Sequence, residues 1–272
     1  MIGYVFIFFI LLLEGIYFTA YNLQNAYPLF GTTLSAVTFI FLILVPVLTM
    51  KTIAEERKQK TDQLLFTAPV SFSDFLLRKF VAVATVYAIP VLIICLYPMI
   101  MGKYGTVSYA MAYTAVLGFA LLGFAQIAVG VFWSSVTENP VIAAVVTFIV
   151  LFVCYMITGI GSLIPDSSMA SLACYMLLVL LAAVWIYHMI RNLWIAAVIG
   201  IAGEAALAIT YVVKSTLFEG SIQKFLSVFD ITSHFDNFTN GILDLQGVVY
   251  FLSVIIIFLV LTVQTITKRR WN

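Results

Sequence analysis

Residues 51–79 read KTIAEERKQKTDQLLFTAPVSFSDFLLRK, and they decide how the rest of the chain is interpreted. The stretch carries six of the thirteen Lys and Arg residues, and it lies between two long apolar stretches. About 20 apolar residues, at about 1.5 Å rise each, cross a hydrocarbon core of about 30 Å. A charged segment between two such stretches predicts a membrane protein with a polar loop at the membrane surface.

The composition of the 272 residues agrees with this interpretation. Hydrophobic residues make up 64% of the chain and charged residues only 9%, whereas a soluble domain has about 25% charged residues. Lipid is therefore the expected solvent for most of the chain. A net charge of +1 argues against a nucleic-acid partner, which requires clustered basic charge. The three cysteines all fall in apolar stretches, without the spacing of metal ligands.

The length rule predicts an all-α integral membrane protein with about eight transmembrane helices in a single domain over residues 1–272. The predicted spans are roughly 2–21, 30–52, 79–101, 108–133, 140–163, 171–190, 193–213 and 247–267. Eight spans, unlike seven, return the C-terminal Lys268, Arg269 and Arg270 to the same side as the loop 51–79. Ten basic residues then lie on that side and three on the other. The positive-inside bias places this side, and both termini, in the cytosol.

The cytosolic loop is expected to be partly helical. Lys51 and Glu55, and also Glu56 and Lys60, are four residues apart and can pair on a helix. Thr61 can cap a second short helix, with Asp62 well placed against its dipole, and Pro69 ends it. Three apolar side chains of this helix have no lipid to cover them: Leu64, Leu65 and Phe66. Docking of a soluble protein or burial among lipid headgroups would explain them, and the mixed charges favour docking.

A second polar turn, SSVTENP at residues 134–140, lies on the same side of the membrane. Asn139 is a candidate N-cap, with Pro140 at the first helical position. Alone, this is a tight turn. Together with the longer loop, it offers Thr137, Glu138 and Asn139 as part of a docking surface.

Other polar and small residues fall within the spans. Glu14, Gln126 and Glu204 are costly in lipid, so each has a structural role or lines a transport path. Small-residue faces for close helix packing are indicated at two pairs of glycines: Gly123 with Gly130, and Gly200 with Gly203.

The segment 214–246 lies outside in this topology, and its apolar residues recur at helical spacing. The first set is Phe218, Ile222, Phe225 and Phe229, and the second set is Phe235, Phe238, Ile242 and Leu245. Two short amphipathic helices are expected, lying on the outer surface or forming a shallow re-entrant turn.

Three separated stretches resemble ABC-2 type transporter permeases of the gliding-motility-associated subgroup. They are AEE at 54–56 with TDQLLFTAPV at 61–70, SSVTEN at 134–139, and FDNF at 235–238 with GILDL at 241–245 and KRRW at 268–271. The chain departs from the subgroup at Lys60, where glycine is expected, and at Pro140, where glutamine is expected. A basic amphipathic segment that would precede Ile2 is also missing, which suggests that the chain begins late.

The resemblance implies an ABC-2 (type-2 exporter-like) permease fold in a bacterial cytoplasmic membrane. It implies a second permease copy and two ABC ATPase subunits as partners, with lipid around the spans. The segment 61–70 would be the coupling helix, Glu55 and Glu56 would belong to the ATPase-docking surface, and the outer segment would form an external gate. The permease would bind no cofactor directly, since ATP and Mg would be held by the ATPase.

No phosphate-binding GxxxxGK[ST] loop occurs in the sequence, so nucleotide would bind on another chain.

Two other functions are alternatives to a permease: an intramembrane enzyme and a secondary transporter. An intramembrane enzyme would need a nucleophile and a base at one depth, and neither His188 nor His234 has an obvious partner in the sequence. A secondary transporter with inverted repeats would show internal similarity, and no convincing repeat is found.

Overall fold

The computed structural model describes residues 2–61, 72–190 and 192–270, and these residues form helices without strands. The helices are α1 (Ile2–Phe18, extended by a π-helical turn, Thr19–Gln24), α2 (Phe30–Thr49), α3 (Ala54–Lys58), α4 (Phe72–Ile94), α5 (Tyr97–Met101), α6 (Tyr109–Val136), α7 (Pro140–Leu163), α8 (Ser168–Ile190), α9 (Leu193–Val213), α10 (Ser221–Ser227), α11 (Ser233–Thr239) and α12 (Leu245–Arg270). The chain divides into two compact units, Met1–Val153 with Ile231–Asn272, and Cys154–Asp230.

Helix α6 forms the centre of the first unit, where it packs against α2, α4, α11 and α12. Small residues make this packing close. A Cβ at Gly123 would overlap the ring of Tyr87, and a Cβ at Gly130 would overlap the side chain of Thr49. The prediction that these two glycines permit close helix contact is therefore confirmed, and the contacts lie within the unit.

Aromatic side chains fill the space between these helices. The ring of Phe41 on α2 lies 5.7 Å from that of Tyr87 on α4 and 4.8 Å from that of Phe119 on α6. The buried Tyr87 hydroxyl donates a 2.7 Å hydrogen bond to the carbonyl oxygen of Phe119. Each aromatic pair contributes about 0.5–1.5 kcal/mol beyond its buried area, so this cluster holds three of the long helices in register.

Six helices among the described residues are long and apolar enough to cross a membrane. They are Ile2–Gln24, Phe30–Lys58, Phe72–Met101, Tyr109–Val136, Pro140–Leu163 and Leu245–Lys268, and they confirm six of the predicted spans. The remaining two predicted spans coincide with α8 and α9. The apolar part of α8 is shorter, Ser168–Val184, and α9 forms a pair with the segment after it that is bent by 116°. Eight crossings therefore remain a prediction.

Contacts along the helices show which loops of the first unit lie at the same end. Thr49 of α2 meets Gly130 of α6 near one end, and Gly31 meets Thr239 near the other. Helix α12 starts beside α11, where its Phe251 lies near Phe238, and then runs parallel to α6, so that the ring of Phe258 lies 5.6 Å from that of Phe132. Residues 50–61, the turn 134–139 and the last turn of α12 consequently share one end, which we call the loop end.

The second unit contains a helical hairpin formed by α8 and α9. Ala183 lies against Gly200 and Val179 against Gly203, which confirms close packing at this glycine pair. The side chain of Asn192 caps α9 by accepting a 3.1 Å hydrogen bond from the backbone N–H of Trp194. Close contact at the two glycines brings the helix axes near each other in the part of the hairpin where they lie.

The outer segment differs from its predicted form because glycines interrupt both apolar patterns. Gly220 has φ of +62°, so Phe218 lies in a 3₁₀ turn and Ile222 lies in the separate helix α10. The second helix ends at Thr239, before Gly241 with φ of +78°. As a result Ile242 is 59% exposed, and the expectation that it shares one helical face with Phe235 was wrong.

Candidate functional site

The loop end is organised around the guanidinium group of Arg57, which is buried although its neighbours on α3 are partly exposed. One of its nitrogens donates to the carbonyl oxygen of Ser135, at the end of α6. The other lies 3.1 Å from the Glu138 carboxylate, whose side chain is 73% exposed. Arg57 therefore joins the segment after α2 to the turn between α6 and α7.

A second connection is made by the hydroxyl group of Ser134. It accepts 3.1 Å hydrogen bonds from the backbone N–H groups of Ile53 and Ala54, and it donates one of 3.1 Å to the carbonyl oxygen of Met50. The first N–H groups of a helix have no partner within the helix. A side chain of α6 thus caps α3 from outside and holds its start against the bundle.

Helix α4 is attached to the same place by an ion pair between Lys79 and Glu56. The prediction of a Lys51–Glu55 pair is confirmed at 3.5 Å. The expected partner of Glu56 was Lys60, and this prediction was wrong. Because α3 ends at Lys58, residues 56 and 60 are not one helical turn apart.

The chain leaves α3 through a left-handed residue. Lys60 has φ of +55°, a conformation that glycine adopts without steric cost, and it is the position where the resembling family is expected to carry glycine. The backbone N–H and the hydroxyl of Thr61 then both donate to the carbonyl oxygen of Glu56, at 3.0 and 3.1 Å. Thr61 therefore closes the preceding helical turn, and the helix that the sequence predicted it to cap lies outside the described residues.

The other residues that the sequence predicts for the docking surface are partly described by the structure. Asp62, Leu64, Leu65, Phe66 and Pro69 lie outside the described residues. Asn139 accepts a 3.0 Å hydrogen bond from the backbone N–H of Val141, which confirms it as the N-cap of α7. The hydroxyl of Thr137 donates to the carbonyl oxygen of Trp133 at 3.3 Å. Two side-chain hydrogen bonds thus hold the turn, and the exposed Glu138 lies between them.

Three residues of the site were not identified from the sequence: Arg57, Ser134 and Ser135. The two serines did carry a signal, since they are adjacent polar residues at the end of an otherwise apolar span. The burial of Arg57 could not be predicted, because several basic residues lie close together in this polar loop and the sequence does not show which of them is buried.

Basic residues are concentrated at the loop end. Nine of the ten Lys and Arg residues of the first unit belong to segments at this end: Lys51, Arg57, Lys58, Lys60, Arg78, Lys79, Lys268, Arg269 and Arg270. The tenth, Lys103, follows α5 at the opposite end. The same segments carry five acidic residues, Glu55, Glu56, Asp62, Asp74 and Glu138, so the loop end remains a net basic pole, whereas the opposite end of the first unit has no net positive charge.

The residues proposed from the sequence for a transport path lie on three helices. Glu14 on α1 is 0% exposed, and both carboxyl oxygens lack a hydrogen-bond partner among the described residues. Gln126 on α6 is buried, and its side-chain amide oxygen also has no hydrogen-bond partner among the described residues. Glu204 on α9 belongs to the second unit and has one buried oxygen. Each is a polar group placed at a cost among apolar side chains.

Long apolar helices with a basic, tightly bonded pole define a multi-pass membrane protein with a polar surface at one end. Residues 10–266 match the model of a family described as ABC-2 family transporter protein, so the chain belongs to this family. Comparisons with curated proteins and with solved structures found no match. The chain is accordingly a membrane component of a transporter, a permease subunit, and the resemblance read from its three motifs is confirmed at the level of the family.

Proposed function

We propose that this chain is the permease subunit of an ATP-driven exporter and that a separate ABC ATPase docks at the loop end. The observation that carries the proposal is the burial of Arg57 between α3 and the turn 134–139. This contact joins the two polar elements that the sequence assigns to the docking surface, namely the loop that contains α3 and the turn 134–139. An ATPase bound to either element would therefore act on both.

The bonds of the loop end suggest how force would reach the membrane helices. A displacement of the segment 62–71 would be transmitted to α2 through α3. It would reach α6 through Ser134, the start of α7 through Arg57 and Glu138, and α4 through the ion pair of Glu56 with Lys79. The hydrogen bonds of Ser134 to α3 and of Arg57 to Ser135 are buried and resist separation, whereas the ion pairs of Glu138 and Glu56 are partly exposed and weaker. Closure of two ATPase subunits would then tilt several helices together and alternate access to a path between two permease copies.

The distribution of charge supports a cytosolic position for the loop end. Lys and Arg are favoured on the cytoplasmic side of a membrane, and the basic pole of the first unit is the loop end. We infer that the loop 51–79, the turn 134–139 and both termini face the cytosol of a bacterium. The assignment to the gliding-motility-associated subgroup, and with it export as the direction of transport, rests on the motif resemblance.

The docking proposal is tested by co-purification. The tagged chain is extracted from its native membrane in mild detergent, and an ATPase subunit containing a phosphate loop is sought by mass spectrometry. We expect that subunit with the wild-type chain, and its loss when Leu64 and Leu65 are both changed to Asp. A matched control is Lys58→Asp, which makes the same change in net charge at an exposed residue of α3. This variant should keep the complex. Retention of the ATPase by the Leu64→Asp, Leu65→Asp double variant would refute docking through these residues.

A further inference from the structure

The hairpin of α8 and α9 carries an open groove that the proposed docking mechanism does not use. Its volume is about 730 Å³, and it lies along one face of both helices. The lining is almost wholly apolar, with Leu180 and Val184 on α8 and Ile201 and Ala205 on α9. Ligand sites for small molecules commonly have volumes of about 300–1,000 Å³ and apolar walls with few polar groups.

The polar feature that distinguishes this groove is Glu204. Among the described residues that line it, Glu204 is the sole charged side chain. One of its carboxyl oxygens is buried and has no hydrogen-bond partner among the described residues. A carboxyl group in apolar surroundings is costly unless a hydrogen-bond donor or a cation accompanies it. This buried oxygen therefore lacks a donor among the described residues, although Tyr187, which carries a hydroxyl group, also lines the groove.

The depth of Glu204 restricts what can supply that donor. Glu204 is eleven residues beyond Leu193, where α9 begins, and this corresponds to about 16 Å along the helix. It lies near the middle of a helix that ends at Val213. In the predicted topology α9 crosses the membrane, and the amine of a phospholipid headgroup, which stays at the membrane surface, does not reach this depth.

A second copy of this chain does not supply the cation either. Every Lys and Arg lies outside the predicted spans or at their edges. An apposed span of another copy would therefore offer Glu204 no Lys or Arg side chain. A small molecule that carries its own ammonium group on an apolar body would supply a donor to the carboxylate and would also cover the apolar walls of the groove.

We propose that the α8–α9 groove binds a hydrophobic amine, with its ammonium group donating to Glu204 and its apolar part lying along Leu180, Val184 and Ile201. Gly200 and Ala183, where the two helices approach closely, are part of the groove lining. The exposed apolar side chains of its rim would be covered by the ligand, and the carboxylate would gain a charge-assisted hydrogen bond.

The test uses the purified full chain in lipid nanodiscs and two photoreactive probes of equal length. One is dodecylamine with a diazirine in its alkyl chain, and the other is the matching dodecanol. Labelling is mapped by mass spectrometry of the peptides covering residues 176–208. We expect the amine to label this region roughly tenfold more than the alcohol, as a charge-assisted hydrogen bond would produce. Excess unlabelled dodecylamine should abolish the difference.

Four variants test whether the labelling is specific to the groove. Glu204→Gln should reduce the preference for the amine to about one, whereas Glu204→Asp and the surface control Glu219→Gln should retain most of it. Ala205→Phe should fill the groove and reduce labelling by both probes, which keeps the test decisive where Glu204→Gln does not fold. Equal labelling of the wild-type chain by amine and alcohol, or an unchanged preference in Glu204→Gln, would overturn the proposal. Since the assay contains no ATPase, either result leaves the docking proposal standing.

Discussion

The guanidinium group of Arg57 lies 3.1 Å from the carboxylate of Glu138, although 81 residues separate the two along the chain. The two ends of this pair differ in their surroundings. Arg57 is buried, and it also donates to the carbonyl oxygen of Ser135, whereas Glu138 extends into solvent. Loss of the Arg57 side chain should therefore weaken the contact between α3 and the turn 134–139 more than loss of the Glu138 side chain.

Arg57→Ala should destabilise the chain by about 1–3 kcal/mol, because it removes the donors of buried hydrogen bonds. Glu138→Gln should cost less than about 1 kcal/mol, since an ion pair with an exposed partner is screened by solvent. Thermal unfolding of the detergent-solubilised chain measures both, with Lys58→Ala as the exposed control. A larger loss for Glu138→Gln than for Arg57→Ala would contradict the assigned geometry.

Lys60→Gly should stabilise the chain by about 1 kcal/mol. A residue with a Cβ pays a steric cost in the left-handed conformation that Lys60 adopts, and glycine does not. The matched control is Lys58→Gly, which should destabilise by about 1 kcal/mol, because residue 58 lies within α3. Unfolding curves that shift in opposite directions would support both backbone assignments, and two shifts in the same direction would argue against them.

Gly123→Ala should destabilise the first unit by about 1–3 kcal/mol, because the added methyl group overlaps the ring of the buried Tyr87. Gly159→Ala provides the comparison. A Cβ at Gly159 meets nothing within 4 Å, and alanine favours helix over glycine by about 1 kcal/mol. Melting temperatures of the two variants should thus move apart. Equal tolerance at both positions would show that α4 and α6 are not in close contact.

Glu14→Met should raise the stability of the chain by about 1–3 kcal/mol, because it removes a buried polar group without a hydrogen-bond partner among the described residues. Thermal unfolding measures the change, and reconstituted transport is measured in parallel. Loss of transport in this more stable variant would assign Glu14 to the substrate path. Full transport would assign it a structural position, and a lower stability would show that the carboxyl group has a partner.

Asp244 should make the stability of the chain sensitive to acid. The side chain of Asn237 donates to its carboxylate at 2.9 Å, and so does the backbone N–H of Gln246, and these bonds lower the pKa of Asp244 below its ordinary value. A lowered pKa in the folded state means that the stabilisation is present above the unfolded pKa, about 4. It is then lost as the pH falls through the lower folded value.

The pH test compares the wild-type chain with Asn237→Ala, which lacks the largest cause of the shift. Melting temperatures are recorded between neutral pH and pH values below about 4. The difference between the two proteins should be greatest at neutral pH and should shrink in acid. A difference that is independent of pH would show that Asn237 acts through packing rather than through the carboxylate.

The outer segment shows why part of the fold could not be predicted. The spacing of Phe235, Phe238 and Ile242 is helical, and the first two are indeed buried on a helix. Helical periodicity does not reveal where the backbone turns, and a positive φ at Gly241 ends the pattern. Gly220 interrupts the earlier pattern in the same way. Glycine occurs both inside helices and at their ends, so its position alone does not decide between the two.

By itself, the sequence determined that this chain is a helical membrane protein of the ABC-2 family with a polar, basic loop between two of its spans. These features depend on local quantities, namely apolar length, charge and short motifs. Only the tertiary structure decided that Arg57 and Ser134 tie that loop to α6. Such contacts require α2 and α6 to lie side by side in one register, and that register is set by the packing of Thr49 against Gly130 and of Phe41 against Phe119. Residues about eighty positions apart meet because these surfaces fit, and no local pattern contains that information.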